Sequence, residues 1–210
     1  MKFRFFALKL CLIMVSVFLV QIVFQDFTEF FVLTKASWGE IWRFVSAIFL
    51  HVGLIHLIYN LFALALFGSI LESVIGSRRF LIIFFISGIL ANLVSINFYD
   101  FSLGASGAIF GVIGALIIIR PLLLVWAFGL PMPIFFAGIL WATGDIIGAY
   151  GFFIGQPINN SGNIAHLSGM FFGMIFGILY KNRFRRRTVK RRNNIRINEG
   201  FIRNWEDRYF

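Results

Sequence analysis

The residues of this chain whose types suit nucleophilic or proton-transfer chemistry are one serine set among glycines and three histidines. The serine is Ser106, in SLGASGAIFG, with Gly104 two residues before it and Gly107 directly after. Small neighbours let another backbone, or a substrate, come very close. The histidines are His51, His56 and His166, each in or at the edge of an apolar run, where an ionisable side chain is costly and functional by default. His56 and Asn60 are four residues apart, so they stand one above the other on a single helix face. A serine hydroxyl needs a base within about 2.6 to 3.2 Å to take its proton, and His166 is the base the spacing offers. His56, Asn60 and the backbone N–H of Ser106 at a helix start are donors suited to a developing oxyanion. Each such donor is typically worth about 10² to 10³ in rate. No carboxylate is placed by spacing to orient His166, so the pattern reads as a two-residue dyad.

The elements that must position these groups are apolar. Of the 210 residues 60% are hydrophobic and only 13% charged, far from the mix of a water-soluble domain. Apolar runs fall near residues 5–24, 52–75, 80–98, 105–119, 131–150 and 163–180, and a span needs roughly 20 such residues to cross about 30 Å of hydrocarbon. The expectation is an all-α membrane protein, a six-transmembrane helical bundle over residues 1–180, followed by a basic tail over 181–210. With six spans both termini share one side. That side collects Lys2, Arg4, Lys9, Arg78, Arg79, Arg120 and every basic residue from Lys181 onward, leaving only Lys35 and Arg43 of the 19 outside. Basic residues are retained in the cytoplasm, so both termini are expected there. The tail, KNRFRRRTVKRR, abuts a span and reads as a stop-transfer flank on anionic lipid, with no nucleic acid implied. The first run lacks a small-x-small cleavage site and reads as a retained span; with no organelle presequence before it, a bacterial plasma membrane is expected. Cys11 is alone, so neither an internal disulfide nor a cysteine metal cluster is available.

Between the first two runs, residues 25–50 carry Trp38, Glu40, Trp42, Arg43 and Phe44, aromatics and arginine that suit a half-embedded outer loop. Glu72, near Arg78 and Arg79, is expected to act as a structural charge pair or a helix-end hydrogen bonder. The fourth run, from Ser106 to about Ile119, rises only about 21 Å, with Arg120 and Pro121 pinning its cytoplasmic end. Ser106 is therefore expected below the outer surface, in a cavity lined by the loop before it. Residues 121–132, interrupted by Gly129 and Pro131, are expected to lie along the inner surface. The fifth run holds Asp145, the one acid well inside an outer half, and Gly151, Gly155, Pro157 and Gly162 give the next loop mobility. Ala165, Gly169, Gly173 and Gly177 recur every four residues in the sixth run, a face built for backbone contact. Packing it on the glycines of the fourth run is what would bring Ser106 and His166 together.

Taken together, Trp42-Arg43, HVGLIHLIYN, Glu72, GASGAIFG and AHLSG followed by Gly169 and Gly173 resemble the rhomboid intramembrane serine proteases, over all six runs. The resemblance implies Ser106 as nucleophile, His166 as general base and acid, and His56, Asn60 and the Ser106 amide as oxyanion hole. His51, Gly104, Phe110, Trp42, Arg43 and Glu72 have supporting places, and no metal or other cofactor is required. It further implies transmembrane protein substrates, cut near the outer end of their spans after entering from the lipid past the fifth span. Phe110 stands where many relatives have tyrosine; it can stack on His166 but offers no hydroxyl. Ser168 replaces a common glycine. Two rival readings are a non-catalytic binder of membrane clients and a divalent-metal transporter with histidine ligands. The second places His51 and His56 on different faces and leaves Ser106 unexplained.

Overall fold

The computed structural model describes residues 4–156 and 162–193; Lys2, Pro157 and the tail beyond Asn193 lie outside the described residues. The chain opens with α1 (Phe6–Val23) and a long loop holding α2 (Gln25–Phe31), β1 (Leu33–Thr34) and α3 (Arg43–Ser46). A long helix over Leu54–Ile75 follows, made of α4 (Leu54–Ala63), a π-helical stretch (Leu64–Gly68) and α5 (Ser69–Ile75). Then come α6 (Ser77–Ser95), β2 (Phe101–Ser102), α7 (Ser106–Ile119), a hairpin of β3 (Leu124–Ala127) and β4 (Leu130–Pro133), α8 (Ile134–Phe153) and α9 (Asn163–Asn193).

The helical bundle read from the sequence is present. Among the described residues five helices are long and apolar enough to cross a membrane: α1, Leu54–Ile75, α6, α8 and the Asn163–Lys181 part of α9. The remaining apolar run is α7, only 14 residues long. From Gly107 to Leu116 every residue of α7 except Phe110 is buried, as expected of a helix that is apolar all round. The other helices wrap this short rod.

What lets them come so close is the absence of side chains. A Cβ on Gly169 would strike the carbonyl of Gly107, and one on Gly173 the carbonyl of Gly111. From the other side, a Cβ on Gly114 would strike the carbonyl of Met170, and one on Gly107 would sit 2.7 Å from Ala91 Cβ on α6. The glycine face of the sixth run thus lies backbone to backbone on α7. In lipid, where apolar contact alone favours no association, such close packing is what holds helices together.

Two features add detail that the reading above did not give. Residues 124–133 form a hairpin: β3 and β4 pair antiparallel, Leu124 opposite Pro133 and Ala127 opposite Leu130. Phe128 (φ 54°) and Gly129 (φ 78°) make the two-residue turn, whose two positive φ angles match strand twist. The last helix continues from the apolar run into the basic tail, to Asn193, since basic residues are good helix formers.

The loop between α1 and α4 folds on itself around Arg43. Its Nε donates to Glu40 Oε2 at 2.6 Å, and its Nη1 to the carbonyls of Glu29 (2.6 Å) and Val32 (2.8 Å). Asn92 of α6 donates to the carbonyl of Phe44 at 2.9 Å. β1 pairs with β2, Leu33 opposite Ser102, which ties the loop to the segment just ahead of Ser106. Trp38 and Trp42 stay about half exposed at its rim.

Candidate active site

Ser106 is the first residue of α7. The N–H groups of that first turn have no partner within the helix. The approach is fixed by Gly104, whose φ of 116° lies in the region that favours glycine and whose N–H donates to the Ala47 carbonyl at 2.8 Å. A Cβ at Gly104 would come within 2.6 Å of His56 Cε1, so the His56 ring rests directly on this turn. That contact brings α4 to the start of α7.

His51 backs His56 from the side. The two rings meet edge to face, centroids 5.2 Å apart, and His51 is almost wholly buried. Its Nδ1 lies 3.1 Å from the Phe49 carbonyl, while Gln21 of α1 accepts from its backbone N–H at 3.0 Å. Its Nε2 has no partner among the described residues. Asn60 is buried one turn along α4 from His56, and its Nδ2 donates to the His56 carbonyl at 2.8 Å. An amide carries two such hydrogens, so one donor is committed to its own helix and one is not.

His166 sits in the first turn of α9. Its ring stacks on Phe110 of α7, centroids 4.4 Å apart and planes 1° from parallel, as the sequence suggested. Phe110 is one turn beyond Ser106. Beside them, a Cβ on Gly107 would be in ordinary contact with the Ala165 carbonyl at 3.5 Å, so Ser106 and His166 each adjoin a residue of the α7–α9 interface. No hydrogen bond between Ser106 Oγ and His166 Nε2 is formed among the described residues; such contacts are often long in the absence of substrate.

The correction concerns the other ring nitrogen. Sequence spacing offered no carboxylate for His166, yet Asp145 Oδ1 of α8 lies 3.0 Å from His166 Nδ1. The pair is largely buried, with side-chain exposures of 9% for Asp145 and 16% for His166. The signal in the sequence was the acid itself, set inside an apolar span. Tyr99, also unremarked in the sequence, stands at the same edge. Its hydroxyl accepts the Ile164 N–H at 3.2 Å, its ring meets Phe152 with centroids 5.2 Å apart, and burial holds it above the ordinary phenol pKa.

The remaining expected residues lie elsewhere. Trp42 and Arg43 belong to the outer loop. Glu72 is fully buried and accepts from the backbone N–H groups of Arg4 (3.2 Å) and Ala7 (3.1 Å) and from the Ser77 hydroxyl. Of its two expected roles it therefore takes the helix-end one, holding the start of α1, rather than pairing with Arg78 or Arg79.

Comparison with known proteins shows the family. A family model described as Rhomboid domain matches residues 38–183. The chain is 46% identical over 80 residues to Rhomboid protease GluP of Bacillus subtilis, covering 38% of this chain and 16% of that protein. It is 33% identical over 159 residues to RHOMBOID-like protein 1 of Arabidopsis thaliana, covering 75% of this chain and 39% of that protein. It is 31% identical over 145 residues to Rhomboid protease GlpG of Haemophilus influenzae, covering 67% of this chain and 70% of the relative. Against the first two, the chain spans well under half of the relative's length.

Proposed function

Since this chain belongs to the rhomboid family, we propose that it is an intramembrane serine endopeptidase in which Ser106 is the nucleophile and His166 its base. The observation that carries the reading is the α7–α9 contact, which sets a serine at a helix start beside a histidine clamped on the same helix. Relatives named as proteases support it.

In this reading His166 Nε2 takes the Ser106 proton as Oγ attacks a peptide carbonyl. Negative charge on the carbonyl oxygen is received by the Ser106 N–H, the His56 ring and the uncommitted amide hydrogen of Asn60. His166 then gives its proton to the departing amine, and a water molecule, activated by the same nitrogen, releases the acyl group from Ser106. Substrates are transmembrane proteins cut near the outer end of a span, reaching Ser106 from the lipid past α8. The protein resides in a bacterial plasma membrane with both termini in the cytoplasm, its basic tail against anionic lipid. No cofactor takes part.

Ser106→Ala and His166→Ala should each lower cleavage of a single-span substrate in proteoliposomes by at least about 10³-fold, since members of such a unit fail together. Wild-type rates in either variant would overturn the proposal, and would favour client binding without hydrolysis.

A further inference from the structure

We propose that Asp145 is a positioning residue for His166, so that three side chains on α7, α8 and α9 act together where sequence spacing offered two. The inference rests on the proteolytic reading above. Its basis is geometric. Asp145 Oδ1 is 3.0 Å from His166 Nδ1, and Asp145 is 7% exposed within an otherwise apolar span. A carboxylate accepts hydrogen bonds and does not donate them, so the Nδ1 proton belongs to His166 and the Nε2 lone pair is left to face the serine side. Phe110, parallel to the ring at 4.4 Å, blocks tilting. Between them the carboxylate and the phenyl ring fix both the tautomer and the plane of the imidazole.

When the imidazole takes the Ser106 proton it becomes a cation, and the Asp145 carboxylate then lies against it. No proton need move to Asp145 for this to help; a carboxylate beside the ring stabilises the charge. The competing explanation is a staple between α8 and α9. That job already has an occupant: Asn163 of α9 fits where Gly148 of α8 has no side chain, and a Cβ there would lie 2.7 Å from Asn163 Cγ. An acid in a span is expensive, and an apolar pair would hold two helices at less cost. A positioning role accounts for the acid; a staple does not require one.

The test uses the full-length protein in detergent micelles, with Asp145→Asn, Asp145→Glu and Ser106→Ala. In Asp145→Asn the amide can donate to Nδ1 and move the ring proton to Nε2, the wrong tautomer for accepting from serine. The expected result is a fall in kcat of about 10²- to 10⁴-fold, with KM within about twofold and an unchanged unfolding temperature. Asp145→Glu should recover to within about tenfold of wild type. By proton NMR, the far-downfield Nδ1–H resonance of His166 should be present in wild type and Ser106→Ala and absent in Asp145→Asn. A wild-type kcat in Asp145→Asn, or a loss wholly explained by a lowered unfolding temperature, would overturn the inference. Should that variant not fold, lack of the Nδ1–H resonance in folded Ser106→Ala would overturn it instead. Cleavage by Ser106→Ala would sink the proteolytic reading itself, whereas an inactive Ser106→Ala with an unaffected Asp145→Asn would sink only this one.

Discussion

Gly104 shows how tightly a single residue can be specified here. Its φ of 116° strains any L-residue, and a methyl group would meet His56 Cε1 at 2.6 Å. Gly104→Ala should therefore cost about 1 to 3 kcal/mol of stability and push His56 away from Ser106. Calorimetry should show the lowered unfolding temperature, and a kcat reduced beyond the loss of folded protein would report the displaced ring. At this scale much was legible. Ser106 was marked by its glycine neighbours, and the Phe110 stack on His166 was implied by the family resemblance. Asp145 was visible as an acid inside a span, but its partner was not. Which residues of α8 and α9 face each other depends on helix rotation, and the spacing pattern within either helix alone does not encode that.

At the scale of elements, the α7–α9 pair decides whether there is a site at all. The backbones touch at Gly107 with Gly169 and at Gly111 with Gly173, so one added carbon has nowhere to go. Gly173→Ala should destabilise the fold by about 1 to 3 kcal/mol, the usual range for overpacking, and slow cleavage by parting α7 from α9. Gly144→Ala on α8 is the matched control, since a Cβ there meets nothing within 4 Å, and it should leave unfolding in dodecylmaltoside unchanged. Equal stability of the two variants would contradict the seam. The four-residue repeat announced this contact from sequence because glycine spacing and helix pitch are both local properties. The two small β-pairs were not announced: β1 with β2 joins residues far apart in the chain, and strands of two residues carry no period to read.

The whole molecule inverts the usual arrangement of a folded chain. Phe80, Phe84, Leu64 and Met14 are buried in its core, yet Leu12, Ile22, Ile55 and Phe62 are more than 60% exposed, since lipid tails are as apolar as the interior. Composition alone foretold this. Ser106 opens one end of the short central rod, and the hairpin of β3 and β4 follows the other end. That hairpin has a consequence for how the protein rides in its membrane. Two paired strands leave two outer edges of unpaired N–H and C=O groups, and hydrocarbon cannot solvate them. Yet Leu122, Leu124, Trp126 and Leu130 are each more than 60% exposed and are ill suited to bulk water. Only the headgroup zone satisfies both demands, and Trp is at home there. In bilayers of stepped acyl length, Trp126 should be quenched by headgroup-level probes and spared by probes at the chain ends, whatever the thickness. Like a waterline painted on a hull, the ribbon would register draught: lipid that thickens or thins must adjust around it, and the distance from that mark to Ser106 is set by the length of one short helix.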